Sequence, residues 1–144
     1  MKSNCRPIIF IFIFITVACN SKQDVVVPSD IESAFKKMHP GATNIRWIRE
    51  PSLYEAKFKD GSMTGAVSFN DQADVIETEE VIDRQQLPVG DAIVRYVATH
   101  YPAEKISRCE RVRKPDGTTT YEIQITGKEL IFDQQGVFLA IEPD

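Results

Sequence analysis

One order of elements occurs twice along this chain, and that duplication constrains the fold more than any other feature. The segment 31–42 contains a short helical pattern that ends at Pro40. The segment 93–104, 62 residues later, contains a similar pattern that ends at Pro102. The alternating segments 54–58 and 121–125 are 67 residues apart, and the segments 67–73 and 130–136 are 63 apart. The recurring order predicts a tandem repeat of one unit, with copies at 28–82 and 87–142.

Each copy is predicted to begin with a helix. In the first, Ser29 and Glu32 have capping-box spacing, and Pro40 ends the helix. Its apolar side chains follow a helical period and form one stripe: Ile31, Ala34, Phe35 and Met38. The second helix is predicted to start near Pro88 and to end before Pro102. Its predicted buried side chains are Val89, Ile93, Tyr96 and Val97.

Four strands joined by tight turns are predicted after each helix. They lie near 44–50, 53–59, 63–70 and 74–80, and then near 105–113, 118–126, 128–133 and 137–142. Tyr54, Ala56 and Phe58 alternate with charged residues, which predicts a sheet with one apolar face. We therefore expect an α+β fold, a tandem repeat of helix plus four-stranded antiparallel meander, with two helices packed on one face of an antiparallel sheet.

The first 18 residues have the pattern of an export signal. Lys2 and Arg6 precede an apolar run at 8–18, which is too short to span a bilayer. The segment 16–19, Thr-Val-Ala-Cys, resembles the lipobox of bacterial lipoprotein signal peptides. The resemblance implies cleavage before Cys19 and lipidation of that residue, followed by a linker at 19–27 and a domain at 28–144. The alternative is a plain secretory signal that ends at Ala18 and leaves Cys19 as a thiol.

Charge and cysteine content narrow the class further. Without Lys2 and Arg6, the predicted mature chain has 15 Lys and Arg against 21 Asp and Glu, a formal net charge of −6. Nucleic-acid binding needs cationic contacts to phosphates, so we expect no nucleic-acid partner. Only Cys109 remains once Cys5 leaves with the signal and Cys19 carries lipid, so no intrachain disulfide is expected.

Residues with chemical potential are few and scattered. His39 and His100 lie at predicted helix ends, where a cation meets the negative end of the helix dipole. Cys109 has no second cysteine near it and is interpreted as a half-buried strand residue. Ser33 and Lys36 have S-x-x-K spacing, but its companion motifs do not occur, and no complete metal, nucleotide or catalytic motif is found. The sequence therefore predicts no enzyme, no cofactor and no metal site.

Two features indicate a protein-binding surface. Trp47, the only tryptophan, is flanked by Arg46 and Arg49 in a strand, although a lone tryptophan is also common in cores. A basic cluster leads into the turn at 115–117, where the alternative is a solvated hairpin tip. With lysines of the predicted open face, the candidate protein-binding residues are Trp47, Lys57, Lys59, Arg108, Arg111 and Arg113.

With its doubled order of elements, its proline-terminated helices and the stretches 69–71 and 132–134, the chain resembles the PepSY-like family of bacterial envelope proteins. Its plan is also similar to that of the β-lactamase-inhibitor proteins, and the resemblance covers roughly residues 28–142. The resemblance implies binding or inhibition of another protein through the sheet face and its loops. The predicted open face of this chain carries mixed charge, whereas those inhibitors present aromatic residues.

These observations predict a non-enzymatic, exported lipoprotein, anchored to a membrane through Cys19, in the periplasm or at the outer-membrane surface. Its expected partner is an envelope protein, which it binds as an inhibitor or modulator. The alternative is a periplasmic sensor of a small ligand or cation. In that hypothesis an acidic run collects the cation: Glu77, Glu79, Glu80 and Asp83.

Overall fold

The computed structural model describes residues 25–88 and 91–143. Two short helices, α1 (Ser29–Met38) and α2 (Ala92–His100), accompany one 3-10 turn at Arg84–Gln86. The first four strands are β1 (Thr43–Arg49), β2 (Tyr54–Asp60), β3 (Met63–Phe69) and β4 (Val75–Val81). The last four are β5 (Arg108–Arg113), β6 (Thr119–Ile125), β7 (Lys128–Asp133) and β8 (Phe138–Pro143).

All eight strands form one antiparallel sheet in the order of the chain, from β1 at one edge to β8 at the other. The predicted fold class, a tandem repeat of helix plus four-stranded meander, is therefore wrong. The pairing of β4 with β5 overturns it, because Thr78 lies opposite Arg113 and Val81 opposite Glu110 in a continuous ladder. Similar patterns within a chain do not specify which strands pair, so the single sheet was not implied by them.

Both helices cover the same face of this sheet, called here the helix-covered face. Ile31 and Phe35 of α1 pack with side chains of β2 and β3: Ala56, Phe58, Val67 and Phe69. Ile93 and Val97 of α2 pack with side chains of β5, β6 and β7: Cys109, Tyr121, Ile123, Ile125, Leu130 and Phe132. The molecule thus has two apolar clusters, the α1 core and the α2 core, on one sheet.

A polar seam separates the two cores at the β4–β5 pairing. Arg111 donates a hydrogen bond to Glu80 at 2.5 Å, and Arg113 lies 3.4 Å from the same carboxylate oxygen. The Arg111 guanidinium beside Glu80 lowers the pKa of that carboxyl. Arg111 Nε is buried without a hydrogen-bond partner among the described residues. On the helix-covered face, the β4–β5 pairing therefore carries charged groups between the two apolar cores.

Both helix starts differ from the predictions. Pro28 is the N-cap of α1, its carbonyl accepts hydrogen bonds from Ile31 and Glu32, and no side chain caps the helix. Ser29 already belongs to the helix, so the predicted capping box does not form. The second helix begins at Ala92 rather than near Pro88, after the 3-10 turn. Val89, predicted to be buried, lies outside the described residues.

The predicted signal peptide and Cys19 also lie outside the described residues, so lipid anchoring remains a prediction. Within residues 25–88 and 91–143, no helix has the length and apolar character needed to cross a membrane.

Gly65 allows β3 to approach β4 closely, and its replacement by alanine is expected to destabilise the protein. An added Cβ would lie 2.2 Å from the carbonyl oxygen of Glu79, which is backbone and cannot rotate away. We expect Gly65→Ala to lower the free energy of unfolding by about 1–3 kcal/mol, as overpacking does in well-packed proteins. Urea denaturation measures this loss. The exposed Ser62→Ala is the control, and equal midpoints for the two variants would contradict the prediction.

Candidate functional site

The second face of the sheet, called here the open face, carries most of the glutamates of the strands. Because side chains alternate along a strand, residues that pair across the ladder share a face. The register places glutamates of six strands on the open face, opposite the helices: Glu55, Glu77, Glu79, Glu110, Glu122, Glu129 and Glu142. Such a concentration of like charge on one surface is the most distinctive feature of the molecule.

Five of these residues form a compact group, called here the carboxylate cluster: Glu77, Glu79, Glu110, Glu122 and Glu129. Glu110 lies directly opposite Glu122 in the β5–β6 ladder. Carboxylate oxygens of Glu110, Glu122 and Glu129 all lie within 4.8 Å of one another. Like charges directly opposite on a sheet destabilise it, so this arrangement costs folding free energy.

Two carboxyls of the cluster have strongly raised pKa values. Burial raises the pKa of Glu122 to about 9, and the neighbouring carboxylates of Glu129 and Glu79 act in the same direction. Burial likewise raises the pKa of Glu79 to about 8, reinforced by Glu55 and Glu110. Both carboxyls are therefore largely protonated at neutral pH. Strongly raised pKa values of this kind occur at functional sites more often than elsewhere.

Cations neutralise only part of the cluster. Arg108 donates a hydrogen bond to Glu110 at 2.6 Å, and Lys114 lies 3.9 Å from Glu77. Burial raises the pKa of Glu77, and Lys114 opposes this shift. Of the ion pairs formed by the described residues, none includes Glu79 or Glu122. These two carboxyls are the part of the open face that a cationic group from outside would stabilise.

The candidate protein-binding residues predicted from sequence are divided between the two faces. Lys57 lies on the open face, 3.4 Å from Glu55, and the exposed Lys59 follows on the same side of β2. Arg108 also lies on the open face, at the carboxylate cluster. Lys57 and Arg108 each pair with a glutamate of the open face, so the three basic residues do not form a separate cationic surface.

The other three candidates lie on the helix-covered face. Trp47 pairs with Ala56 and stacks edge-on against Phe35, with ring centroids 5.5 Å apart. Arg111 and Arg113 belong to the polar seam with Glu80. The six residues predicted as one binding set are thus not brought together.

The acidic run proposed to collect a cation is also split. Glu77 and Glu79 lie on the open face, whereas Glu80 points to the opposite face and pairs with Arg111. Asp83 caps the 3-10 turn. Glu110, Glu122 and Glu129, which do converge, come from three different strands. No sequence signal marks them, because their proximity depends on the pairing register.

The histidines and Cys109 lie where a structural role suffices. His39 Nδ1 is 3.2 Å from a carboxylate oxygen of Asp60, and its ring lies 4.2 Å from that of Phe58. His100 is at the end of α2 and stacks on Tyr96. Cys109 is 6% exposed in the α2 core, and burial raises the pKa of its thiol. Cys109 is a strand residue as predicted, but it is buried rather than half-buried.

Comparison with known proteins places the fold. Residues 52–140 match the family model described as beta-lactamase-inhibitor-like and PepSY-like. A solved structure of a protein from Bacteroides eggerthii, described as periplasmic, has a TM-score of 0.71 at 20% identity, covering 83% of this chain and 90% of that one. A solved structure of a DUF2874 family protein from Bacteroides uniformis has a TM-score of 0.69 at 20% identity, covering 82% of this chain and 90% of that one.

A BLIP-like protein from Bacteroides fragilis gives a TM-score of 0.62 at 23% identity, covering 83% of this chain and 89% of that one. At these identities the three structures show a shared fold. No curated protein matches the sequence.

Proposed function

This chain belongs to the PepSY-like, beta-lactamase-inhibitor-like family, and from that premise we propose that it is a non-enzymatic protein of the cell envelope that binds a cationic surface of another protein. The open face is the binding surface, and inhibition or modulation of an envelope enzyme is the role. Export with lipidation at Cys19 belongs to the same proposal, supported by the pattern of residues 1–19 and by similar structures ascribed to the periplasm.

The carboxylate cluster is the observation that carries this function. Desolvated carboxyls without a cation, such as Glu79 and Glu122, cost folding free energy. Lysine or arginine side chains of a partner would pair with them and recover part of that cost, and at some interfaces close charge pairs of this kind add to the affinity. The cluster would release protons as the partner binds, so affinity should rise as the pH increases toward the pKa values of about 8 and about 9.

A pull-down from crosslinked cell envelopes tests this function. The face variant combines Glu79→Gln, Glu110→Gln and Glu122→Gln, and the control variant combines Glu32→Gln, Asp91→Asn and Glu104→Gln, which removes three carboxylates elsewhere. We expect mass spectrometry to find a partner that wild type and control retain and the face variant loses. Crosslinks from that partner should map to lysine-rich or arginine-rich segments. Equal recovery by the face variant, or no specific partner at all, would reject the proposal.

A divalent cation is the second candidate ligand, favoured by the three convergent oxygens of Glu110, Glu122 and Glu129. Calcium at about ten times its dissociation constant would add about 1.4 kcal/mol to the free energy of unfolding. Thermal unfolding at pH 8, with calcium chloride or with EDTA, measures that gain in wild type and in Glu122→Gln. A gain from calcium over EDTA that is confined to wild type would favour the cation, and equal melting temperatures of wild type in calcium and in EDTA would exclude it.

A further inference from the structure

The strand β1 ends the sheet with an edge that no described strand covers. The Glu50 amide donates a hydrogen bond to the Leu53 carbonyl, which makes these two residues a hydrogen-bonded pair at the β1–β2 turn. Antiparallel ladders alternate bonded and non-bonded pairs, so Trp47 and Arg49 point their amides and carbonyls away from β2. These groups are available to an added strand.

A groove runs beside that edge, between α1 and β1. Its volume is about 330 Å³, and its walls include Phe35 and His39 of α1 and Ile45 and Trp47 of β1. Ile45 is 45% exposed, which is high for an isoleucine. The ring of Trp47 rests edge-on against Phe35, and Asp60 fixes the ring of His39. The groove thus offers an ordered apolar and aromatic lining directly next to free backbone groups.

Charge around the groove favours an acidic occupant. Lys36 lines the groove, and β1 itself carries Arg46 and Arg49, of which Arg49 pairs with Asp71 at 3.2 Å. Glu32 is the only acidic residue among the residues that line the groove. Two β1 strands of separate molecules would bring their arginines together, and like charges oppose cross-strand pairing. A second copy paired through β1 is therefore a poor occupant.

We propose that this groove and the free edge of β1 bind an extended, acidic peptide segment of another protein by strand addition. The added strand pairs with the backbone of Trp47 and Arg49. Every second side chain of the segment is apolar and enters the groove beside Ile45, and the alternate side chains carry carboxylates next to Arg46. This site lies on a different part of the molecule from the carboxylate cluster and does not depend on it.

Selection of random heptapeptides displayed on phage, with the mature wild-type protein as bait, tests the proposal. We expect enriched peptides that alternate apolar and acidic residues. A synthetic peptide of that pattern should bind Ile45→Glu at least tenfold more weakly than wild type. Ile141→Glu, which changes an isoleucine of similar exposure on β8, should bind it as wild type does. Matching melting temperatures for the two variants would establish that both are folded.

Backbone measurements distinguish strand addition from other binding. N-methylation of alternate peptide amides should abolish binding in one register and spare it in the other. Hydrogen exchange at the amides of Trp47 and Arg49 should slow in the complex. The proposal fails if no peptide is enriched over Ile45→Glu, if N-methylation has no effect in either register, or if the face variant loses the peptide. That last result would move the peptide to the carboxylate cluster.

Discussion

Replacing Glu122 by glutamine is expected to raise the free energy of unfolding at pH 8 by about 2–4 kcal/mol and to leave it nearly unchanged at pH 4. The folded protein holds the Glu122 proton until its pKa of about 9, whereas the unfolded chain releases it near the ordinary value of 4.5. The effect of the Glu122 proton on stability is therefore fully favourable below about pH 4.5. As the pH rises from there toward 9, the free energy of unfolding falls by up to about 1.4 kcal/mol per pH unit. Glutamine resembles the protonated carboxyl and removes this loss.

Thermal unfolding between pH 4 and pH 9 measures the effect, at roughly 3–6 °C per kcal/mol for a domain of this size. The variant Glu79→Gln should give a similar gain, with its window ending near pH 8. Glu32→Gln, on an exposed position of α1, is the control for removal of one negative charge. A constant difference between Glu122→Gln and wild type at all pH values would show that the cluster does not hold the proton.

Replacing Phe132 by alanine is expected to cost about 3–5 kcal/mol, the usual loss for a fully buried phenylalanine. The ring is 0% exposed and lies edge-on to Tyr96, with centroids 5.3 Å apart. Phe69 is its counterpart in the α1 core, also at 0% exposure, and Phe69→Ala should cost a similar amount. Because the polar seam separates the two cores on the helix-covered face, each substitution should weaken its own half of the sheet most.

Hydrogen exchange followed along the chain checks this localisation. Phe132→Ala should lose amide protection chiefly in α2 and β6–β8, and Phe69→Ala chiefly in α1 and β1–β3. Uniform loss of protection across the whole sheet in both variants would contradict it, because the seam would then couple the cores into one cooperative unit.

Two local features were predicted correctly: the buried face of β2, from its alternating apolar and polar residues, and the end of α1, from Pro40. The predicted inward set of the second strand, with Ala56 and Phe58, is buried in the α1 core. Helix α1 ends before Pro40, as expected from a residue with no amide hydrogen to donate. Each of these features depends on neighbours within a few residues.

The carboxylate cluster could not be predicted in the same way. Glu110 meets Glu122 only because β5 and β6 pair in one register, and a shift by one residue would place them on opposite faces. The acidic run at 77–83 is close together in sequence but is not a single site. Neighbours such as Glu79 and Glu80 point to different faces of the sheet. The β4–β5 pairing, which makes one sheet of eight strands, likewise lies between segments 27 or more residues apart.

The two ends of the sheet are chemically unequal. The far edge, β8, finishes with Glu142 and Pro143, and Pro143 has no amide hydrogen to offer an incoming strand. A register irregularity between β7 and β8 interrupts the ladder near Phe138 as well. Head-to-tail stacking of many copies would need β8 of one molecule to join β1 of the next, and such a contact propagates into fibres. The proline and the irregular ladder disfavour strand addition at β8, so we expect strand binding at β1 without head-to-tail assembly.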